Sequence, residues 1–213
     1  MPNLYFIMNI FPGLKKKKWA EVNLNVESLR TSVDLSDSEV CAKWVSELHK
    51  RKGVDYSYGG FLEDRSNLWK NHYNKETGAF IHLGVDFNVP AGTKVALAKR
   101  ARVEHVMIDQ DQHGGWGGMV VWKLLDEDKY LLYGHLKHDI KLKVGDIKEE
   151  GEVFAEVGES KENGGWFPHL HLQLMDKGFI DAFEGDWEEI DGYLPKGSKL
   201  IQNVLNPMEL VRL

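Results

Sequence analysis

The stretch Pro168-His169-Leu170-His171-Leu172-Gln173-Leu174 alternates polar and apolar residues without a break. That period marks a half-buried β-strand, because successive side chains leave a strand on opposite faces. His169, His171 and Gln173 are expected on one face, and Leu170, Leu172 and Leu174 on the other. Residues two apart on one face lie roughly 6 to 7 Å from each other, so two imidazoles stand side by side. A pair of ordinary semi-exposed histidines is the plain reading of this pattern. A metal ligand is the sharper one, since neutral imidazole often binds zinc. His-x-His alone does not choose between them, so the rest of the chain must supply partners.

The first candidates lie upstream, in Ala79-Phe80-Ile81-His82-Leu83-Gly84-Val85-Asp86-Phe87. In a straight strand His82 and Asp86 would stand roughly 13 Å apart, too far to share an ion. A bend or bulge at Gly84 is therefore expected if they do. Tyr133-Gly134-His135-Leu136 adds a histidine at the end of an apolar run.

Residues 94–98, 101–108, 118–124 and 129–133 have strand length with turn signals between them, as in an antiparallel β-sandwich or compact barrel-like domain. Further alternating strands are read at 142–151 and 153–158. Gly114-Gly115-Trp116-Gly117-Gly118 lacks the Lys-Ser/Thr ending of a phosphate loop and reads as a tight hairpin with Trp116 at a groove edge. Gly164-Gly165-Trp166-Phe167-Pro168 reads as an exposed approach to the histidine strand. His72, His105, His113 and His138 are left as surface or loop residues.

With 213 residues, 42% hydrophobic and 28% charged, the chain suits a globular protein with a real core. A formal charge of −6 argues against a nucleic-acid partner. The single cysteine, Cys41, excludes an intrachain disulfide and a multi-cysteine metal cage. The apolar run 4–11 is too short to span a bilayer, and it precedes the Lys15–Lys18 cluster, the wrong order for a signal peptide. No targeting or transmembrane segment is visible, and localisation stays open.

Residues 1–74 read as an N-terminal accessory segment and 75–213 as the chemistry-bearing domain. In the first, Ser36-x-x-Glu39 has capping-box spacing and predicts a helix from about Asp37 to Lys52, stopped at Gly53. Cys41 beside its apolar stripe is expected as a packed side chain. Tyr56-Ser57-Tyr58-Gly59-Gly60 reads as a rigid aromatic loop that could line a groove. The acidic insertion near 176–199 lacks a calcium-loop pattern and is expected as a solvated loop, and 200–205 as a last apolar element returning to the domain.

Taken in order, His82-x-x-x-Asp86, His135 and His169-x-His171 resemble the M23 family of zinc metallopeptidases, the lysostaphin and LytM-type endopeptidases. The segments 82–93, 133–136, 144–146 and 168–172 match the spaced motifs of that family. The resemblance implies a mainly β, antiparallel core with an N-terminal helical extension, and one zinc ion held by His82, Asp86 and His171. It assigns His135 and His169 to the non-ligand catalytic positions.

The implied reaction is hydrolysis of an internal peptide bond by zinc-activated water, in peptidoglycan or another glycine- or D-amino-acid-containing peptide, by a monomer acting in the periplasm, cell wall or outside the cell. Without a visible signal peptide, a cytoplasmic or phage-associated setting is the other expectation. Tyr58, Trp116 and Trp166 are candidate groove walls. The alternative is a catalytically weak or inactive zinc-containing peptide- or wall-binding module. Gln173 stands where many relatives carry glutamate, and residues 160–168 replace the usual small approach to the histidine strand. The first points to a weakened contact behind the metal-binding residues, and the second to a different groove.

Overall fold

β-Branched and aromatic stretches become strands wherever turn residues bound them, and the computed structural model describes residues 9–27, 33–69, 72 and 75–211. Residues 4–8 of the apolar N-terminal run, and 73 and 74 at the expected domain boundary, lie outside the described residues. In chain order the strands are β1 (Trp19–Glu21), β2 (Tyr56–Gly59), β3 (Ala79–His82), β4 (Val85–Asn88), β5 (Lys94–Ala96), β6 (Ala101–Ile108) and β7 (Gly118–Leu124). They continue with β8 (Lys129–Leu136), β9 (Ile147–Lys148), β10 (Val153–Glu156), β11 (Leu170–Asp176), β12 (Tyr193–Pro195) and β13 (Val204–Leu205). The α-helices are α1 (Ser38–Lys52), α2 (Ser66–Trp69) and α3 (Lys177–Asp181).

The main sheet has nine strands in the order β1-β2-β4-β11-β8-β7-β6-β9, with β13 also pairing with β11. Every pairing in it is antiparallel except β1 with β2. The expected β-rich core with helical elements is present, but the sandwich or barrel is not. The sheet stays open because its edge strands β1 and β9 do not pair with each other, while β3 leaves to join β12 and β5 joins β10 in two separate two-stranded sheets. Of the strands expected between 142 and 158, only the short β9 and β10 form.

Helix α1 starts one residue later than a Ser36 cap would place it. Asp37 is the N-cap, its carboxylate accepting from the backbone N–H groups of Glu39 and Val40. Gly53 closes the helix in the left-handed conformation, as expected. Cys41 is fully buried in a small cluster with Val22, Leu24, Leu35, Val45 and Leu68, and burial pushes its thiol up to about 12. No helix among the described residues is long and apolar enough to cross a membrane.

Strand β11 is central, pairing with β4 and β8, and it is buried on both faces rather than one. Leu170, Leu172 and Leu174 enter the main core with Val85, Phe87, Trp122 and Tyr133. The opposite face is roofed by a second cluster that includes Leu83, Met119, Met175, Phe179, Ile180 and Ile190. Three of those side chains come from the acidic insertion, which therefore is not a solvated loop. Asp181, Glu184, Asp186, Glu188 and Glu189 are exposed while Phe179, Ile180 and Ile190 are buried, and β12 pairs with β3. As expected, the last apolar element returns to the domain, with β13 closing on β11.

Candidate active site and metal centre

Register builds most of the site. In the β4–β11 ladder His171 stands directly opposite Asp86, and on its other side opposite Gly134 of β8. Directly paired residues point to the same face, so Asp86 and His171 meet there. His82 reaches them because the chain turns at Leu83-Gly84 between β3 and β4. Gly84 is required for close approach: a Cβ there would lie 2.5 Å from His171 Nε2 and 2.6 Å from the Leu172 carbonyl oxygen. The expected bend is present, and it brings His82 Nε2 to 3.3 Å from Asp86 Oδ1.

The third side of the triangle closes at similar length. His171 Nδ1 lies 3.1 Å from Asp86 Oδ1 and 3.0 Å from His82 Nε2. Acceptors behind the rings settle the tautomers. His82 Nδ1–H donates to the Gly60 carbonyl at 2.9 Å, and His171 Nε2–H donates to Gln173 Oε1 at 3.2 Å. Carbonyl oxygens only accept, so the nitrogens that face each other carry lone pairs. Two lone pairs and a carboxylate oxygen held this close demand a cation between them.

The spacing also suits a particular ion. Zinc bonds of about 2.0 to 2.2 Å in tetrahedral geometry place ligand atoms roughly 3.3 Å apart. His82, Asp86 and His171 therefore fit one face of a single zinc site, with the fourth position left for water or substrate. Gln173 supplies the outer hydrogen bond that the missing glutamate would have made, as a neutral acceptor.

The electrostatics keep His82 and Asp86 in their binding forms. Burial, helped by the Arg65 charge, lowers His82 to about 4. Burial alone would raise the Asp86 carboxyl, but His82 and Arg65 outweigh it and hold the group well below the usual carboxylate range. Arg65 Nη1 donates to Asp86 Oδ2 at 2.5 Å, and Arg65 Nε donates to Glu63 Oε2 at 3.1 Å. Tyr193, in β12, lays its ring against His82 with centroids 5.1 Å apart, while its hydroxyl accepts from Trp69 Nε1 at 2.7 Å.

His135 and His169 stand beside the triangle. His169 Nδ1–H donates to the Phe167 carbonyl at 2.8 Å, which leaves the Nε2 lone pair free at 3.9 Å from Asp86 Oδ1. The His135 ring centroid is 4.3 Å from that of His169. His135 has a left-handed φ of 62°, uncommon for a residue with a side chain. Burial lowers the pKa of both rings, and in His135 the neighbouring His169 and His171 lower it further.

These groups line a cavity of about 560 Å³. Trp116 and Trp166 are on its wall, whereas Tyr58 packs its ring on Phe87 toward the main core. His72 and His113 also line it, and the loop 163–165 folds against residues 112–115 instead of standing free. Sequence reading placed Gly60 only in an aromatic loop, not behind a metal ligand, and missed Glu63, Arg65 and Tyr193. The first three precede the histidine motifs and the last sits in the insertion, so no spacing pattern includes them.

Residues 80–181 match the model of Peptidase family M23. No curated protein matches the chain. Among solved structures, the catalytic domain of lysostaphin from Staphylococcus simulans is 19% identical, with 79% of this chain and 95% of that one covered at a TM-score of 0.45. LytU is 20% identical over 60% of this chain and 70% of its own, with a TM-score of 0.42. The catalytic domain of the prophage-encoded M23 protein EnpA from Enterococcus faecalis is 23% identical, over 56% and 78%, with a TM-score of 0.41. At these TM-scores the likenesses add nothing to the functional reading, which stands on the family match and the ligand triangle. The triad His82, Asp86 and His171 lies within the residues that match peptidase family M23, and a catalytic zinc site set in an M23 peptidase segment makes this chain a zinc metalloendopeptidase.

Proposed function

We propose that the substrate is a stem or cross-bridge peptide of peptidoglycan, and that His169 and His135 share the proton handling and oxyanion stabilisation of its hydrolysis. By this reading the enzyme acts wherever peptidoglycan is reached, in the periplasm, the wall or outside the cell. Bound zinc supplies a Lewis acid that activates water and polarises the scissile carbonyl.

The observation that carries the assignment is the fixed tautomer of His169. With Nδ1–H committed to Phe167, its Nε2 is a free base beside Asp86 Oδ1, the atom that faces the metal position. Burial lowers its pKa and keeps it unprotonated and ready to accept a proton. His135 is neutral for the same reason, and a neutral imidazole still donates one N–H to a developing oxyanion. Its left-handed backbone turns it out of the β8 ladder toward His169.

The rim supports an unbulky peptide. Gly114-Gly115 and Gly164-Gly165 meet there, so close that a Cβ on Gly164 would lie 2.2 Å from the Gly115 carbonyl. Backbone, not side chains, therefore forms that edge, while Trp116 and Trp166 offer flat surfaces for a peptide chain.

Hydrolysis of pentaglycine, D-Ala-containing stem peptides and ordinary L-peptides tests the reading, together with zinc content. The wild-type chain is expected to cleave one of the first two classes. His169→Ala is expected to keep zinc and lose about 10²- to 10⁴-fold in kcat. Cleavage of L-peptides alone would remove peptidoglycan as the substrate. A zinc-loaded chain that cleaves none would favour the binding-module alternative.

A further inference from the structure

Two of the three zinc ligands are oriented by residues that lie outside the family-matched segment 80–181. Gly60, just after β2, takes the outer N–H of His82 on its carbonyl at 2.9 Å. Five residues on, Arg65 takes the outer oxygen of Asp86 at 2.5 Å. Arg65 is in turn held by Glu63, whose second oxygen accepts from the backbone N–H of Leu24 at 3.0 Å. A continuous line of contacts thus runs from Leu24 through Glu63 and Arg65 to Asp86.

Glu63, Arg65 and Asp86 are all buried. A guanidinium taken out of water is tolerated only where its donors are matched, and here two of them are tied to carboxylates on different sides. Such a double anchor fixes the Asp86 carboxylate in rotation. Oδ2 is occupied, and Oδ1 alone is turned to His82 and His171.

We propose that the turn 60–65 is the outer shell of the zinc centre, with Arg65 as the positioning residue that makes Asp86 present a single oxygen to the metal. The inference rests on the zinc-site assignment and is independent of which peptide is cleaved. Gly60 gives it a second handle. Its φ is +112°, and a Cβ there would lie 2.3 Å from Arg65 Nη2 and 2.7 Å from His82 Nδ1. One added methyl group would displace both supports at once.

The test measures zinc affinity of the full chain by competition with a chromogenic chelator, and the visible spectrum of the cobalt(II)-substituted protein. Melting of the metal-free form reports folding separately. Arg65→Met is expected to weaken zinc binding by about 10- to 100-fold and to shift the cobalt bands, as Asp86 gains freedom to rotate or to bind through both oxygens. Arg65→Lys keeps the charge but not the planar fork and is expected to recover only part of the affinity. Gly60→Ala is expected to match Arg65→Met, and Glu63→Gln to cost about tenfold.

A merely structural arginine would lower the melting temperature of the metal-free chain and leave the zinc constant and cobalt spectrum unchanged. That result, or tighter zinc binding in Arg65→Met, overturns the proposal. Should Arg65→Met fail to fold, wild-type zinc constants in both Arg65→Lys and Glu63→Gln overturn it equally. A wild-type chain that takes up no zinc is a different outcome, because it removes the metal centre itself.

Discussion

The two faces of β11 are both buried, yet they are built on opposite principles. Leu170, Leu172 and Leu174 pack into the main core, where dispersion and exclusion of water set the energy and no atom needs a specific partner. His171 and Gln173, on the other face, are buried under Ile190 and its neighbours, and each nitrogen and oxygen there has an assigned partner or an assigned task. The leucine face can be compressed or refilled with little loss of identity. The histidine face has one arrangement in which its lone pairs converge, and register, Gly84 and Gly60 all enforce it.

Breaking the histidine face is expected to have the largest effect. His171→Ala removes a ligand, so zinc affinity should fall by more than the roughly 10- to 100-fold typical of an outer contact, and turnover should vanish with it. Metal content after dialysis and peptide hydrolysis check this. Zinc retained at wild-type affinity would show that His171 is no ligand.

Breaking the leucine face comes next. Leu172→Ala is expected to destabilise the fold by about 2–5 kcal/mol, because its side chain is fully buried and the strands around it cannot collapse on the void. Denaturant unfolding measures the loss, while zinc affinity of the folded fraction should stay near the wild-type value. A large fall in affinity at unchanged stability would mean the two faces are not separable.

Titration sharpens the contrast without a mutation. Burial holds the folded His82 pKa at about 4, below the ordinary imidazole value of 6.5, and lowers those of His135 and His169 too. The unfolded chain therefore binds protons first on acidification, and stability is present in full above about pH 6.5 and lost as pH falls toward 4. Metal-free protein is expected to unfold more readily at pH 5 than at pH 8, whereas the cost of Leu172→Ala should be the same at both. A metal-free chain equally stable at the two values would contradict the buried neutral histidines.

The same difference explains what was legible in the sequence. The alternation from His169 to Leu174 fixes which residues share a face, because strand geometry has a period of two whatever surrounds it. The ordered His82, Asp86, His135 and His171 motifs likewise survive reading in one dimension. What covers the histidine face does not. Ile190 and Tyr193 come from a stretch whose carboxylates disguise its buried side chains, and Arg65, buried as it is, belongs to no spaced motif. Closure into a barrel failed for a related reason. Whether β3 pairs within the main sheet or leaves it for β12 depends on the insertion's path, which local periodicity does not encode.

The smallest expected effect decides how much of the histidine face is held by side chains and how much by register. Gln173 accepts the outer N–H of His171 and donates to Met175 Sδ at 3.2 Å. Gln173→Leu would remove that acceptor while keeping similar volume beside Met175, so His171 Nε2–H would be left buried and unpaired. Zinc affinity is expected to fall about tenfold, which is about 1.4 kcal/mol, with a small change in the stability of the metal-free chain. Chelator competition reads it directly. An unchanged zinc constant would mean that the ladder pairing His171 with Asp86 and Gly134 orients the ring unaided, and that the side chain at 173 serves the fold and not the metal.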